Sequence, residues 1–170
     1  QAMTTSTKAA PNLAFLLQHP YHFVALGFGT GLMKWAPGTF GTLVGLPLFW
    51  LLSATPESIH YLTLAGLFFA GIPICTKAGN AIGVSDHGSI VWDEIVAMML
   101  VLEFTPQKAS WWLLAFILFR IFDIWKPFPI RQCDAKFKGG FGVMFDDLLA
   151  AIYAIIVLKV LLCLKMNYGI

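Results

Sequence analysis

The sequence predicts an all-α, multi-helix integral membrane bundle with short or tilted spans and an interfacial N-terminal helix. Three observations predict it. Of 170 residues, 58% are hydrophobic and only 12% are charged, against roughly 25% charged in an average soluble domain. The mean hydropathy is +0.76, and eleven Lys/Arg with nine Asp/Glu cannot cover a soluble surface of this size. The apolar residues also fall in separated blocks: Leu43 to Leu52, Ile59 to Thr76, Ile90 to Phe104, Trp111 to Trp125 and Leu148 to Leu164. The same composition excludes a disordered chain, in which apolar residues are scarce. A net charge of +2 gives no field to steer a polyanion, so no nucleic-acid partner is expected.

Gln1 to Lys8 reads as a tag remnant and polar tail, and residues 9–170 as a single membrane-embedded domain. Asn12 to Phe28 is amphipathic and interrupted by Pro20, which suits a helix lying in the interface. Gly29 to Thr42 is punctuated by Gly and Pro. Most of the five apolar blocks are shorter than the roughly 20 residues a full span prefers, so some must tilt or borrow flanking residues. Pro47 and Pro73 are expected to kink or end their helices. Cys75, Cys133 and Cys163 have no CxxC or metal spacing and read as reduced thiols.

Alternating the sides of the five blocks places Gly29 to Thr42, Lys77 to Ser89 and Lys126 to Asp147 on one face. That face carries Lys34, Lys77, Lys126, Arg131, Lys136 and Lys138, against Lys108 and Lys165 opposite. The positive-inside rule makes it cytoplasmic. The acids divide the same way: Asp86, Asp93, Glu94, Asp123, Asp134, Asp146 and Asp147 gather there, and Glu57 and Glu103 do not.

Asp93 and Glu94 interrupt an apolar run, and Asp146 with Asp147 repeats the arrangement before Leu148. Acids at a helix N-terminus are favoured by the macrodipole, so capping is the plainer account of each pair. Two acidic pairs at one depth need a cation, however, and ionisable groups inside membrane segments are usually functional. Arg120 and Asp123, three apart, make either an intrahelical ion pair or part of the same group. Lys126, directly before Pro127, ends its helix. Carboxylates suit Mg²⁺, which is usually held by a few of them together with phosphate oxygens, and Arg or Lys beside them suit a phosphate. Together with the bilayer, this points to phosphoryl chemistry on a lipid headgroup. "APGTFGT" could offer backbone N–H groups and the hydroxyls of Thr39 and Thr42 to a phosphate, or be a plain turn and N-cap. His87 could hydrogen-bond a leaving oxygen or sit in solvent. No phosphocysteine, phosphoaspartate or histidine-nucleophile signature is present, which leaves a metal-activated water. An ion-coupled transporter or channel is the competing class, but its acids should lie near mid-span.

The strings "PGTFGT" (Pro37 to Thr42), "DHGSIVWDEIV" (Asp86 to Val96), "FRIFDIWKPFPIR" (Phe119 to Arg131) and "GGFGVMFDDLLA" (Gly139 to Ala150) resemble, in order and spacing, phosphatidylglycerophosphatase A, a Mg²⁺-dependent bacterial enzyme of the inner membrane. Ala97 and Ala151 stand where that pattern has Gly. The resemblance implies an all-helical, multi-pass inner-membrane protein that dephosphorylates phosphatidylglycerophosphate to phosphatidylglycerol. The active site would face the cytoplasm, with no obligate protein partner. With that reaction, Glu94, Asp146 and Asp147, with Asp123 as a further ligand, are expected to hold Mg²⁺. Asp93 or Asp123 would orient or deprotonate the water, with Glu94 counted among the catalytic acids and attack on phosphorus through an enzyme carboxylate as the alternative to direct attack by water. Lys126, with Arg120 or Lys34, would bind the phosphate, supported by Thr39, Thr42 and His87.

Overall fold

The computed structural model describes residues 10–169; the expected tag remnant and tail at 1–8 lie outside the described residues. Those residues form helices and connecting turns, with no strand among them. The first helix, α1 (Leu13–Gln18), is capped by the Asn12 side chain, which accepts from the Phe15 N–H at 3.0 Å. The second, α2 (Pro20–Ala25), begins at Pro20. The single interfacial helix expected over Asn12 to Phe28 is therefore two short ones. Pro20 has no N–H to continue the ladder and forces His19 into extended backbone, φ −145° and ψ 145°. The buried His22 ring ties the halves together, bonding the Phe15 carbonyl through Nδ1 at 2.8 Å and stacking on the Phe15 ring.

After a 3₁₀ segment (Gly27–Leu32) come α3 (Pro37–Leu52), α4 (Glu57–Ile82), α5 (Trp92–Glu103), α6 (Ala109–Trp125), the short α7 (Ile130–Lys136) and α8 (Gly139–Tyr168). Of the two expected outcomes, a kink or a helix end, the second does not occur: Pro47 and Pro73 both lie inside continuous helices. Both rings lie on exposed faces, where a missing N–H and a bulky ring are accommodated away from packed neighbours. Helix α4 stops where Gly83 turns left-handed (φ 91°) and its N–H reaches the Gly79 carbonyl. At 1.5 Å per residue α4 and α8 run about 39 and 45 Å, and these two helices are long and apolar enough to cross a membrane by length and composition.

Helix α5 is only 12 residues long, yet Ile95 to Met99, Val101 and Leu102 are all buried. It is the central post, with α3, α4, α6 and α8 packed around it. In a lipid setting close packing rather than water expulsion holds helices together, so small residues line the contacts. A Cβ on Gly41 would meet Val91 at 2.5 Å, and one on Gly45 would meet the Ile95 carbonyl at 3.0 Å. Between α4 and α8, a Cβ on Gly71 would meet Met144 at 2.7 Å, and Gly140 lies directly against the Ile72 carbonyl. Thr76 joins the same two helices, donating to the Ile72 carbonyl at 2.7 Å and accepting the Gly140 N–H at 3.0 Å. Ala97 and Ala151 are buried without disturbing this packing. The three cysteines are free; Cys75 is buried, and Cys163 is exposed.

Candidate active site

Four helix segments converge at one end of α5: its own first turn, the first turn of α3, the last two turns of α6 and the N-terminal third of α8. Asp93 and Glu94 come from α5, Arg120 and Asp123 from α6, and Asp146 and Asp147 from α8. Capping does not account for the α8 pair. That helix begins at Gly139, about two turns earlier than the apolar block suggested, so Asp146 and Asp147 lie inside it rather than at its start.

Glu94, Asp123 and Asp147 each offer an oxygen, and the three oxygens lie within 4.8 Å of one another. Arg120 clamps two of these acids: its guanidinium donates to Glu94 Oε1 at 3.0 Å and also to Asp123 one turn along its own helix. The Arg120–Asp123 pair is therefore not merely intrahelical, because the same guanidinium ties α6 to α5. Asp93, buried beside them, lies within hydrogen-bonding reach of Asp147 and feels the charges of Glu94, Asp146 and Asp123.

Asp146 faces a different partner. Lys126, left-handed at the end of α6 (φ 50°), donates to it at 2.7 Å and pairs with Asp134 of α7 at 3.1 Å. Burial works against the charge on Lys126, but its bonds to Asp146 and Asp134 hold its pKa above the ordinary lysine value. Asp146, expected among the metal ligands, thus stands beside the three-acid group, engaged by the amine expected on the phosphate.

Whether the site suits a divalent cation can be judged from its unmet bonds. Glu94 Oε2, Asp147 Oδ2, Asp93 Oδ1 and Asp146 Oδ1 are all buried with no hydrogen-bond partner. Buried polar atoms normally find one, and a buried carboxylate without compensation is strongly unfavourable. Five carboxylates, Asp93, Glu94, Asp123, Asp146 and Asp147, face two cations, Arg120 and Lys126, one of which is shared with Asp134. The all-oxygen donor set and the charge deficit both fit Mg²⁺.

The "PGTFGT" stretch is the first turn and a half of α3, not a free loop. Its contribution is a close approach that sequence reasoning missed: a Cβ on Gly38 would lie 2.5 Å from Glu94 Oε1 and 2.8 Å from Oε2. Thr42 is fully buried, its hydroxyl proton spent on the Gly38 carbonyl at 2.7 Å. Thr39 and Arg120 line one shallow cleft between α3 and α6. His87 accepts the Ser89 N–H on Nδ1 at 3.1 Å, which leaves its ring proton on Nε2. Lys34 is exposed before α3, and among the described residues no ion pair joins it to the acids. Asp134 was also missed as a partner of Lys126; its place in the acid census was the only signal available.

Residues 23–162 match the family model described as phosphatidylglycerophosphatase A. A Haemophilus influenzae protein named phosphatidylglycerophosphatase A is 49% identical over 153 residues, spanning 89% of this chain and 94% of that protein. An Escherichia coli K12 protein of the same name is 39% identical over 137 residues, 80% of each. A Bacteroides thetaiotaomicron protein, provisionally named a phosphatidylinositol-3-phosphatase, is 39% identical over 145 residues, 81% of this chain and 90% of its own. No solved structure is a significant match to the chain.

Proposed function

Since the chain belongs to the phosphatidylglycerophosphatase A family, we propose that it hydrolyses the terminal phosphomonoester of phosphatidylglycerophosphate, giving phosphatidylglycerol and phosphate, where Glu94, Asp123 and Asp147 converge. It is a phosphatase, a phosphoric monoester hydrolase, in phosphatidylglycerol synthesis. One observation carries the placement of the site: oxygens from three helices meet within 4.8 Å beside an arginine, with buried carboxylate oxygens left unbonded.

Glu94, Asp123 and Asp147 would hold a Mg²⁺ ion there. When bound, it supplies Lewis acidity toward the phosphate and offsets the mutual repulsion of the acids. The rest falls to the chain itself. Arg120, fixed by Glu94 and Asp123, binds phosphate oxygens as their charge grows in the transition state. Asp93, whose Oδ1 has no other partner, takes the proton of the attacking water as its oxygen bonds phosphorus. The bond from phosphorus to the glycerol oxygen breaks, and that oxygen takes up a proton from water, with the Nε2–H of the neutral His87 ring offering it a hydrogen bond. Lys126, held by Asp146 and Asp134, keeps positive charge at the rim where the headgroup enters.

The setting is a bilayer crossed by α4 and α8, with the acid end facing the cytoplasm. Support comes from the basic residues at that end, Lys77, Lys126, Arg131, Lys136 and Lys138, which outnumber Lys108, Lys159 and Lys165 toward the other.

The test is phosphate release by the purified full chain in detergent micelles, from phosphatidylglycerophosphate and from phosphatidylinositol 3-phosphate. Mg²⁺-dependent release from the first, stopped by a chelator, is expected. Release from the second alone would overturn the substrate, and release unaffected by chelator would overturn the metal.

A further inference from the structure

A cleft of about 330 Å³ lies between α4, α5 and α8, lined almost wholly by apolar side chains. Its shape follows from helix register. On α5 it runs from Asp93 through Val96 and Ala97 to Leu100, a single face at i, i+3, i+4 and i+7. On the antiparallel α4 it runs from Phe69 back through Ala65 to Tyr61, again one face. The two ends are fixed by contacts: Gly71 packs on Met144 and Trp92 at the acid end, and Tyr61 lies one residue from His60, which bonds Glu103 at the other. The cleft is therefore a groove parallel to the helix axes, about 10 Å long from the rise of seven residues.

One end of this groove is not apolar. Asp93, 7% exposed, lines it, and Asp93 Oδ1 has no hydrogen-bond partner. That carboxyl is also the neighbour of Asp147 in the acid group. Groove and site thus share a wall, and whatever fills the groove must be an apolar rod with a polar end at the depth of the acids. Ala65 on the open side and Ala97 at the back keep it wide enough for such a rod.

We infer that this groove receives one acyl chain of the phospholipid substrate, setting the depth at which its headgroup meets Glu94, Asp123 and Asp147. The inference rests on the reading of the chain as a lipid phosphatase. In a bilayer the groove gives little affinity, because lipid tails are as apolar as its lining. Its contribution is register, which holds the phosphorus at the height of the acids instead of letting it ride with the interface.

Two measurements test it. In the first, the full chain in micelles is irradiated with a phosphatidylglycerol carrying a diazirine midway along one acyl chain, and adducts are mapped by mass spectrometry. Adducts concentrated on the groove positions of α4 and α5, and suppressed in Ala65→Trp, are expected. Adducts spread evenly over the lipid-facing surface overturn the inference. So do groove residues left unlabelled while Ala65→Trp shifts the monomer–dimer distribution, which would make the groove a contact between copies. In the second, Ala65→Trp and Ala97→Leu are assayed on long-chain and on dihexanoyl phosphatidylglycerophosphate. The expected result is a fall in kcat for the long-chain lipid of roughly ten- to a hundredfold with the short-chain rate kept. Equal loss on both lipids, or no loss on either, overturns the groove. Absence of phosphate release by the unsubstituted chain would instead overturn the lipid-phosphatase reading, while the labelling pattern would still report on the groove.

Discussion

The two ends of the helix bundle treat buried acids in opposite ways. At the end away from the site, Glu103 meets His60 Nδ1 at 2.9 Å, and the other ring nitrogen of His60 meets the Thr55 carbonyl at 2.9 Å. Both side chains are largely buried, and Glu103 leaves no buried oxygen unbonded. At the site end, four carboxylates leave a buried oxygen without a partner. The same chain can satisfy a buried acid where the acid only joins helices. Where it leaves several unsatisfied and crowded together, their mutual repulsion is what the proposed Mg²⁺ would offset.

The largest expected effect sharpens that contrast. Asp147→Asn removes a charge from the crowded end, so phosphate release should fall on the order of a thousandfold, the several kcal/mol a metal site contributes, while thermal stability stays level or rises. The unsubstituted protein should also be stabilised by Mg²⁺, by about 2.7 kcal/mol at a hundred times its Kd, and the Asn variant should lose most of that gain. Thermal shift with and without Mg²⁺, beside a phosphate-release assay, checks both. An Asp147→Asn protein that is much less stable would make the acid end structural and erase the contrast.

The converse substitution is next in size. Glu103→Ala strands His60 beside the Thr55 carbonyl, and breaking a buried pair on one side costs about 3 kcal/mol. The folded fraction should retain its kcat, because Glu103 lies at the far end of α5 from Glu94. Denaturation in detergent together with kcat measured below the transition separates the two quantities. A large fall in kcat with unchanged stability would mean that the two ends are coupled.

This division was partly legible in the sequence. Asp93, Glu94, Arg120, Asp123, Asp146 and Asp147 stand out because charged residues are conspicuous in apolar blocks, and alternation of helix direction alone brings them to one depth. What was not legible depends on distances between helices. Gly38 looked like part of a phosphate loop or turn, since only the packed structure brings Glu94 within 2.5 Å of where its side chain would be. The start of α8 falls in the stretch Lys126 to Asp147 between apolar blocks, and "GGFG" has poor helix propensity. Tertiary packing overrides that propensity: Gly140 and Gly142 lie directly against the carbonyls of Ile72 and Phe137, where no larger residue fits. Asp146 adjoins Asp147 in the sequence, yet adjacent residues on a helix point about 100° apart; that rotation delivers its Oδ2 to Lys126 and leaves its Oδ1 without a partner.

Gly38→Ala probes the crowded end without changing a charge. The new methyl would stand within 3.0 Å of both carboxylate oxygens of Glu94, so Glu94 must turn or α3 must shift by some tenths of an ångström. Either movement displaces the oxygen that Arg120 holds at 3.0 Å. The expected result is about a tenfold fall in kcat with a small change in stability, since Ala suits the first turn of a helix at least as well as Gly. Lys34→Ala should do least. Lys34 is exposed and unpaired among the described residues, so its stability change should stay within about 0.5 kcal/mol, and any effect should be on KM through weaker attraction of an anionic lipid. Raising the salt concentration should then shrink the KM difference between Lys34→Ala and the unsubstituted protein, because an exposed charge is screened beyond about 8 Å at physiological ionic strength. A fall in kcat as large as that of Gly38→Ala would instead move Lys34 into the site. The crowded end would then include a cation from the loop before α3, and its charge deficit would be smaller than the buried residues alone suggest.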